Sequence, residues 1–415
     1  MLKKALIGLL LIILLSFIFK DKLQNLFGSS KVTKGPIVDS SEIFDGVSYV
    51  AVDSSKFDIS ILVKNLASPT RIKITPDGKH LLVTQITGEV LGFDRTSDGW
   101  SSEPYLVTKV ETKFPGFPPD EAGLVGMIFS ENFTKNGKLF LLYTFMDKDE
   151  KVQNHISLTT LKENGGKVKG TSPKQIFQAN IAGNPSHQIT DGISVNVDST
   201  PHLLFLIGEG FDGTRAQNPD LEAGKLMLIS EDGREKKIAG LGIRNGFVMA
   251  KNPNDPDGKI LISDTGPDKY DRLIYTNPFK SVIPNFGWDG NQDKLALPIP
   301  DPNFKKVTDM VIYRLEVTKT FVGLGFQKDG SLLATLFGKT GYKDNSVGKE
   351  ILLGSITNLE GQPKVSFKTI IKRNPKTIGK FGNPIGMEID NKTGDFFFAD
   401  IMEGRIYMVK EKGGD

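Results

Sequence analysis

Gly78-Lys79-His80-Leu81-Leu82-Val83-Thr84-Gln85-Ile86-Thr87-Gly88-Glu89-Val90-Leu91-Gly92-Phe93 consists of two apolar runs around a glycine-bearing turn. Leu81-Leu82-Val83-Thr84 and Val90-Leu91-Gly92-Phe93 are strand-length, and Thr87-Gly88 supplies the turn between them. The same unit returns at residues 137–144, 202–229, 258–275, 330–356 and 394–409. The last copy reads Phe396-Phe397-Phe398-Ala399-Asp400, then Glu403-Gly404, then Ile406-Tyr407-Met408-Val409. Gly78 and Gly394 open the first and last copies, five intervals apart, so the mean period is about 63 residues. That spacing is too long for a helical solenoid. It predicts an all-β, six-bladed β-propeller of four-stranded antiparallel blades. A propeller displays its functional loops around one central channel, so the loops between repeats are where chemistry is sought.

The repeat accounts for nearly all of the 415 residues, with 44 Gly and 22 Pro fitting a turn-rich β chain. Strands begin near Phe57, and the propeller is expected over residues 54–412. Residues 21–53 are polar, with Gly28-Ser29-Ser30 and Gly35-Pro36, and read as a stalk. The N-terminus is different. Lys3 and Lys4 precede residues 5–19, which carry no charge, and Lys20 closes the run. This is the pattern of a signal segment or short membrane anchor, an N-terminal hydrophobic helix. The lack of an A-x-A-like cleavage site favours an uncleaved anchor and an extracytoplasmic body; cleavage would make the protein secreted.

Removing those three Lys from the 52 basic residues leaves 49 against 49 acidic ones, so the body is neutral. A nucleic-acid partner calls for a basic excess, and there is none. With no Cys, disulfides, thiolate metal sites and cysteine nucleophiles are excluded. The N-terminal segment leaves a membrane as an expected partner. The expected state is a monomer or loose oligomer.

Two insertions interrupt the rhythm. Residues 112–121 include Phe114-Pro115-Gly116-Phe117-Pro118-Pro119, and residues 277–303 include five Pro and Trp288. Proline cannot sit in a central strand, so both are loops, either functional or packing between blades. There are four His. His80 and His202 read as surface or strand-end residues, and His155 lies near a strand start. His187 sits in a polar loop, Pro185-Ser186-His187-Gln188, ahead of a blade, where an imidazole can serve as general base. Arg244-Asn245, flanked by Gly242 and Gly246, offers a planar cation and an amide to an anionic or carbonyl-rich ligand. Asp264-Thr265-Gly266-Pro267-Asp268 has the oxygen groups that Ca²⁺ favours and is also an ordinary loop composition. The Asp- and Asn-rich residues 252–258 and 289–293 lack EF-hand spacing.

In order along residues 57–410, these segments resemble the glucose/sorbosone dehydrogenase family. The resemblance is carried by Glu121-Ala122-Gly123-Leu124-Val125-Gly126-Met127, Ala223-Gly224-Lys225-Leu226, Arg244-Asn245, Gly266-Pro267, Asn285-Phe286-Gly287-Trp288 and Gly382-Asn383-Pro384-Ile385-Gly386. It implies a quinoprotein, an oxidoreductase using pyrroloquinoline quinone (PQQ) and Ca²⁺ on an aldose, sorbosone or related carbohydrate, a small-molecule sugar or polyol. It implies His187 as the base that takes a hydroxyl proton while hydride passes to the quinone. Arg244, Asn245 and Lys339 match quinone-contacting positions, and the carbonyls of Gly266 and Pro267 match the metal ligands. Asn383-Pro384 stands where the family carries quinone-clamping arginines. Two other readings stay open: a cofactor-free propeller acting as a cell-surface binding module, and a Ca²⁺-dependent hydrolase of the lactonase type.

Overall fold

The computed structural model describes residues 50–412 except 54, 119–120, 182–184, 280–281, 304–307, 340–346 and 375–380. All of these fall in one compact unit, Ser40–Asp415. The expected N-terminal helix and most of the stalk lie outside the described residues. Among those described, no helix is long and apolar enough to cross a membrane.

Six antiparallel sheets follow one another along the chain. Blade 1 begins with Pro69–Ile74, His80–Gln85 and Glu89–Thr96, blade 2 with Leu124–Phe129, Lys138–Met146 and Val152–Asn164. Blade 3 is Ile189–Val197, Thr200–Ile207, Lys225–Ser230 and Lys236–Leu241; blade 4 is Met249–Lys251, Ile260–Asp264, Asp271–Thr276 and Val311–Leu315. Blade 5 is Phe321–Phe326, Ser331–Leu336, Glu350–Leu359 and Gln362–Arg373, with Val50–Val52 added along its outer edge. Blade 6 joins Pro384–Ile389, Phe396–Asp400 and Arg405–Glu411 to the N-terminal strand Phe57–Val63. Five of the six sequence repeats span the second and third strands of a blade, and residues 137–144 cover the second strand of blade 2.

The ring closes in blade 6, where Ile59 stands opposite Val409 in the strand pairing. Phe57, Phe396, Tyr407 and Val409 share one buried cluster there. Apolar residues on both faces of each sheet are buried because each blade packs between two others. Strands such as His80–Gln85 and Asp271–Thr276 are accordingly buried at every position.

The first strand of each blade faces the channel. In five blades this strand carries a bulge, at Pro69/Arg71, Leu124/Gly126, Ile189/Gly192, Phe321/Gly323 and Ile385/Glu388. Bulges bend a strand locally, and here they bring neighbouring first strands close. A Cβ on Gly126 would lie 2.4 Å from the Thr190 carbonyl oxygen, so glycine is required at that crossing.

Arg71 closes the middle of the channel. From blade 1 it donates through Nη2 to the Phe247 carbonyl at 2.5 Å and through Nη1 to the Val322 carbonyl at 3.2 Å. Its Nε lies 3.6 Å from Asp191 Oδ2, with both side chains buried. One guanidinium thus ties blade 1 to blades 3, 4 and 5. Beyond it, where the first strands end, lies a cavity of about 420 Å³ lined from all six blades, by Lys73, Phe129, Ile193, Met249, Phe326 and Glu388 among others.

Helix is scarce, as the repeat requires. The described residues hold a four-residue helix, Phe133–Asn136, ended by Gly137 at φ 63°, and two 3₁₀ turns. His80 opens its strand, but it and His202 are buried, which corrects the surface alternative read for both. His80 Nδ1 lies 2.9 Å from Asp94 Oδ1 and Nε2 3.1 Å from Glu163 Oε1. Asp94 is on the same blade and Glu163 on the next, so His80 joins blades 1 and 2. The sequence carries the apolar strand, but not the two distant carboxylates.

Candidate active site

Blade 3 supplies the centre of the site. Its first two strands pair with Ile189 opposite Ile207. The ladder continues past both strands: Gly208 N donates to the Gln188 carbonyl and Gly210 N to the His187 carbonyl, each at 3.1 Å. That pairing lays Glu209 beside His187. A Cβ on residue 208 would lie 2.5 Å from the His187 carbonyl oxygen, so the approach needs glycine.

The result is a 2.7 Å hydrogen bond from His187 Nδ1 to Glu209 Oε1, with side chains only 6% and 3% exposed. The carboxylate accepts, so Nδ1 carries the proton and Nε2 is the basic nitrogen. No further ring hydrogen bond is made among the described residues, and Nε2 stays open. The His187 ring stacks on Phe211, with centroids 4.0 Å apart and planes 16° apart, while Phe211 is 57% exposed. Both residues hold left-handed backbone, at φ 57° and 64°. Bulky side chains hold such conformations only where the surroundings enforce them, and they concentrate at functional sites.

The loop leading into blade 4 adds the Arg-Asn pair. Arg244 N and Asn245 N both donate to Asp264 Oδ1 at 3.0 Å. The other Asp264 oxygen pairs with Arg272 Nη2, deep in the fold, and Arg272 Nη1 donates to the Phe286 carbonyl at 2.6 Å. The Asp264 carboxylate, one of the oxygen groups noted in the sequence, is therefore committed to holding this loop. Arg244 Nη1 donates to the Thr265 carbonyl at 2.9 Å, and the guanidinium lies 5.8 Å from the Trp288 ring centroid. Glu209 N donates to the Arg244 carbonyl at 2.9 Å, fastening the two loops together.

Glu121 joins them from blade 2. Its Oε2 accepts from His187 N at 3.0 Å and from Asn245 Nδ2 at 3.1 Å. His187, Arg244 and Asn245 thus form one hydrogen-bonded assembly. Asn245 Oδ1, Glu209 Oε2 and Thr265 Oγ1 within it are buried with no hydrogen-bond partner among the described residues.

Gly266 and Pro267 adjoin it through Thr265. Gly266 N donates to Asp271 Oδ1 at 3.0 Å, and Asp271 Oδ2 accepts from Lys319 N and Thr320 N at 2.7 Å each. Burial pushes the Asp271 carboxyl above its ordinary range. The Gly266 carbonyl accepts from Thr318 Oγ1 at 3.3 Å. Lys339 lies on the same face of the propeller, on blade 5, where its carbonyl accepts from Asn383 Nδ2 at 3.0 Å.

Sequence reasoning gave no role to Glu121, Glu209 or Phe211. Gly208-Glu209-Gly210 directly after an apolar strand is the signal that marks Glu209. The insertion at residues 277–303 packs against blade 3, one of the two alternatives read for it. Asn285 and Gln217 exchange two side-chain hydrogen bonds, at 3.0 and 2.8 Å, which dock the insertion on blade 3. Trp288 N then donates to the Gly242 carbonyl at 3.0 Å and places the indole beside Arg244.

The sequence profile of the family described as Glucose / Sorbosone dehydrogenase matches residues 66–293, more than half of the chain. The chain belongs to the glucose/sorbosone dehydrogenase family. Solved structures of similar fold include the PQQ-bound aldose sugar dehydrogenase of Streptomyces coelicolor, with TM-score 0.62 and 15% identity over 87% of this chain and 100% of that one. The apo soluble aldose sugar dehydrogenase of Escherichia coli gives 0.61 and 18% over 86% and 99%. The holo PQQ domain of pyranose dehydrogenase from Coprinopsis cinerea gives 0.62 and 11% over 88% and 98%. At these identities the likeness speaks for the fold. No curated protein matches the chain in sequence. The profile match spans His187, Arg244, Asn245, Gly266 and Pro267 and ends before Lys339.

Proposed function

We propose that this member of the family is a quinone-dependent sugar oxidoreductase in which His187 is the base. The observation that carries the reading is the 2.7 Å His187–Glu209 bond, which leaves Nε2 open in the loop assembly that also holds Arg244 and Asn245. Nε2 takes the proton of a sugar hydroxyl, and the Glu209 carboxylate stabilises the imidazolium that forms. Phe211, exposed and stacked on the same ring, gives the apolar face of a pyranose a surface to lie on.

The donor set fits an anionic quinone in kind. Arg244 is half-buried with N–H groups beyond the one given to Thr265, and Asn245 Oδ1 and Thr265 Oγ1 are buried with no hydrogen-bond partner among the described residues. Arg244, Asn245 and Lys339 would hold PQQ. When bound, PQQ supplies the two-electron acceptor for the substrate's hydride. Ca²⁺ fits less well. The Gly266 carbonyl already accepts from Thr318, and no three His, Cys, Asp or Glu side chains come together as a metal centre among the described residues. No step is routed through a metal.

The reading includes export. Lys3 and Lys4 ahead of the uncharged residues 5–19 support an extracytoplasmic, membrane-anchored body.

A sugar-binding propeller without redox chemistry is the second reading. It is favoured by the commitment of Arg272 to Asp264 and of Arg71 to the channel, which leaves Arg244 as the guanidinium serving the site among the described residues. Titration of the protein with PQQ, followed by dye reduction over a sugar panel, separates the two. Saturable quinone binding with sugar-dependent dye reduction supports the oxidoreductase. Sugar binding without quinone binding supports the module.

A further inference from the structure

We infer that Glu121 is a positioning residue that holds the base and the ligand-binding amide in register from a single carboxylate oxygen. The inference rests on the functional reading above and deepens it. Glu121 Oε2 accepts from the His187 backbone at 3.0 Å and from the Asn245 side chain at 3.1 Å. Those two residues lead into blades 3 and 4, while Glu121 comes from the loop leading into blade 2. Three blades therefore meet at one atom.

Each bond fixes something the chain would otherwise leave free. The first holds His187 in left-handed backbone, at φ 57°. That conformation is unfavourable for a non-glycine residue, and a hydrogen bond to a charged acceptor is among the stronger ones and offsets the cost. The bond is therefore strong enough to hold the turn that stacks His187 on Phe211. The second bond fixes which way the Asn245 amide faces. With its Nδ2 given to Glu121, its Oδ1 is turned elsewhere, buried and without a partner among the described residues. A free acceptor held in that way is ready for a donor on a ligand. Since both bonds share one oxygen, a shift of the base also disturbs the amide.

Glu121 itself is at φ 63°, two residues before Gly123. A Cβ on Gly123 would lie 2.0 Å from the Ile86 carbonyl oxygen, so the chain there is pressed against blade 1. The backbone just after Glu121 is thus packed tightly on blade 1, where Leu124 N donates to the Ile86 carbonyl at 3.0 Å.

The test uses Glu121→Ala and Glu121→Gln in the full chain, with two readouts. The imidazole NMR signal of His187, assigned by its loss in His187→Ala, is followed without any ligand. PQQ affinity is measured separately by absorbance titration. Glu121→Ala is expected to move the His187 signal towards the free-histidine position as the Phe211 stack loosens, and to weaken PQQ binding at least tenfold. Glu121→Gln keeps an acceptor oxygen and is expected to restore the signal and hold affinity within about threefold of the parent. If Glu121→Ala leaves the His187 signal unchanged, the inference is overturned. If Glu121→Ala does not fold, a Glu121→Gln variant with a displaced His187 signal overturns it equally, because the oxygen would not be what holds the base. A parent protein that binds no PQQ defeats the functional reading alone, since the ligand-free signal still reports on Glu121.

Discussion

His187 Nδ1 and Glu209 Oε1 lie 2.7 Å apart because the chain after the second strand of blade 3 runs against the chain before its first strand. A short extension of an ordinary β ladder thus fixes the orientation of the His187 imidazole. Glu209→Gln removes the charge and allows the other imidazole tautomer. The expected outcome is a kcat for sugar-dependent dye reduction lower by about 10²-fold or more, with PQQ affinity nearly unchanged. Paired measurement of kcat and quinone affinity checks this.

Gly208 is the backbone device that permits the pair. A Cβ there meets the His187 carbonyl oxygen at 2.5 Å and the His187 Cα at 2.9 Å, both backbone atoms that cannot swing away. Gly208→Ala is expected to destabilise the protein by about 1–3 kcal/mol and to lower kcat as strongly as Glu209→Gln. Urea denaturation together with activity tests both parts.

The scaffold was legible in the sequence because propeller strands announce themselves locally. The Leu81–Thr84 and Val90–Phe93 runs and the Phe396–Ala399 and Ile406–Val409 runs carry their own turns, and all became second and third strands. The closure by Phe57–Val63 was less evident, since its partner strand lies more than 340 residues away in sequence. At the site, His187 and Arg244-Asn245 stood out as polar groups in glycine-rich loops. Glu121 and Glu209 did not, because each gains its meaning from a neighbour on another loop. The same holds for His80, whose partners Asp94 and Glu163 come from two blades.

Arg71 is expected to be a strut of the ring. Its guanidinium reaches Phe247, Val322 and Asp191 across the channel. Arg71→Met leaves the Asp191 carboxylate buried and unpaired. A loss of about 3–5 kcal/mol is expected in denaturant unfolding. The double variant Arg71→Met/Asp191→Asn should recover part of that loss, because the orphaned charge is gone.

His155 gives the fold a weakness to acid. Burial lowers its pKa to about 4 from the ordinary 6.5. The ring stacks on Phe145 with centroids 5.0 Å apart, and its Nε2 is buried without a partner. Between pH 6.5 and 4 the unfolded chain binds the proton and the folded one does not. Stability therefore falls as pH drops through that window and levels off below it, by a total of about 3 kcal/mol from this residue. His155→Phe is expected to flatten the slope of unfolding free energy against pH over that range. An identical slope in the variant would assign the acid sensitivity to other groups.

His187 is proposed to remove a hydroxyl proton during oxidation of a sugar. The most direct measurement is the anaerobic single-turnover reduction of the PQQ-loaded protein by an aldose, in the parent and in His187→Ala, followed by absorbance. Equal quinone loading is expected, with a reduction rate at least about 10²-fold slower in His187→Ala. Equal loading with equal rates in the two proteins would contradict it.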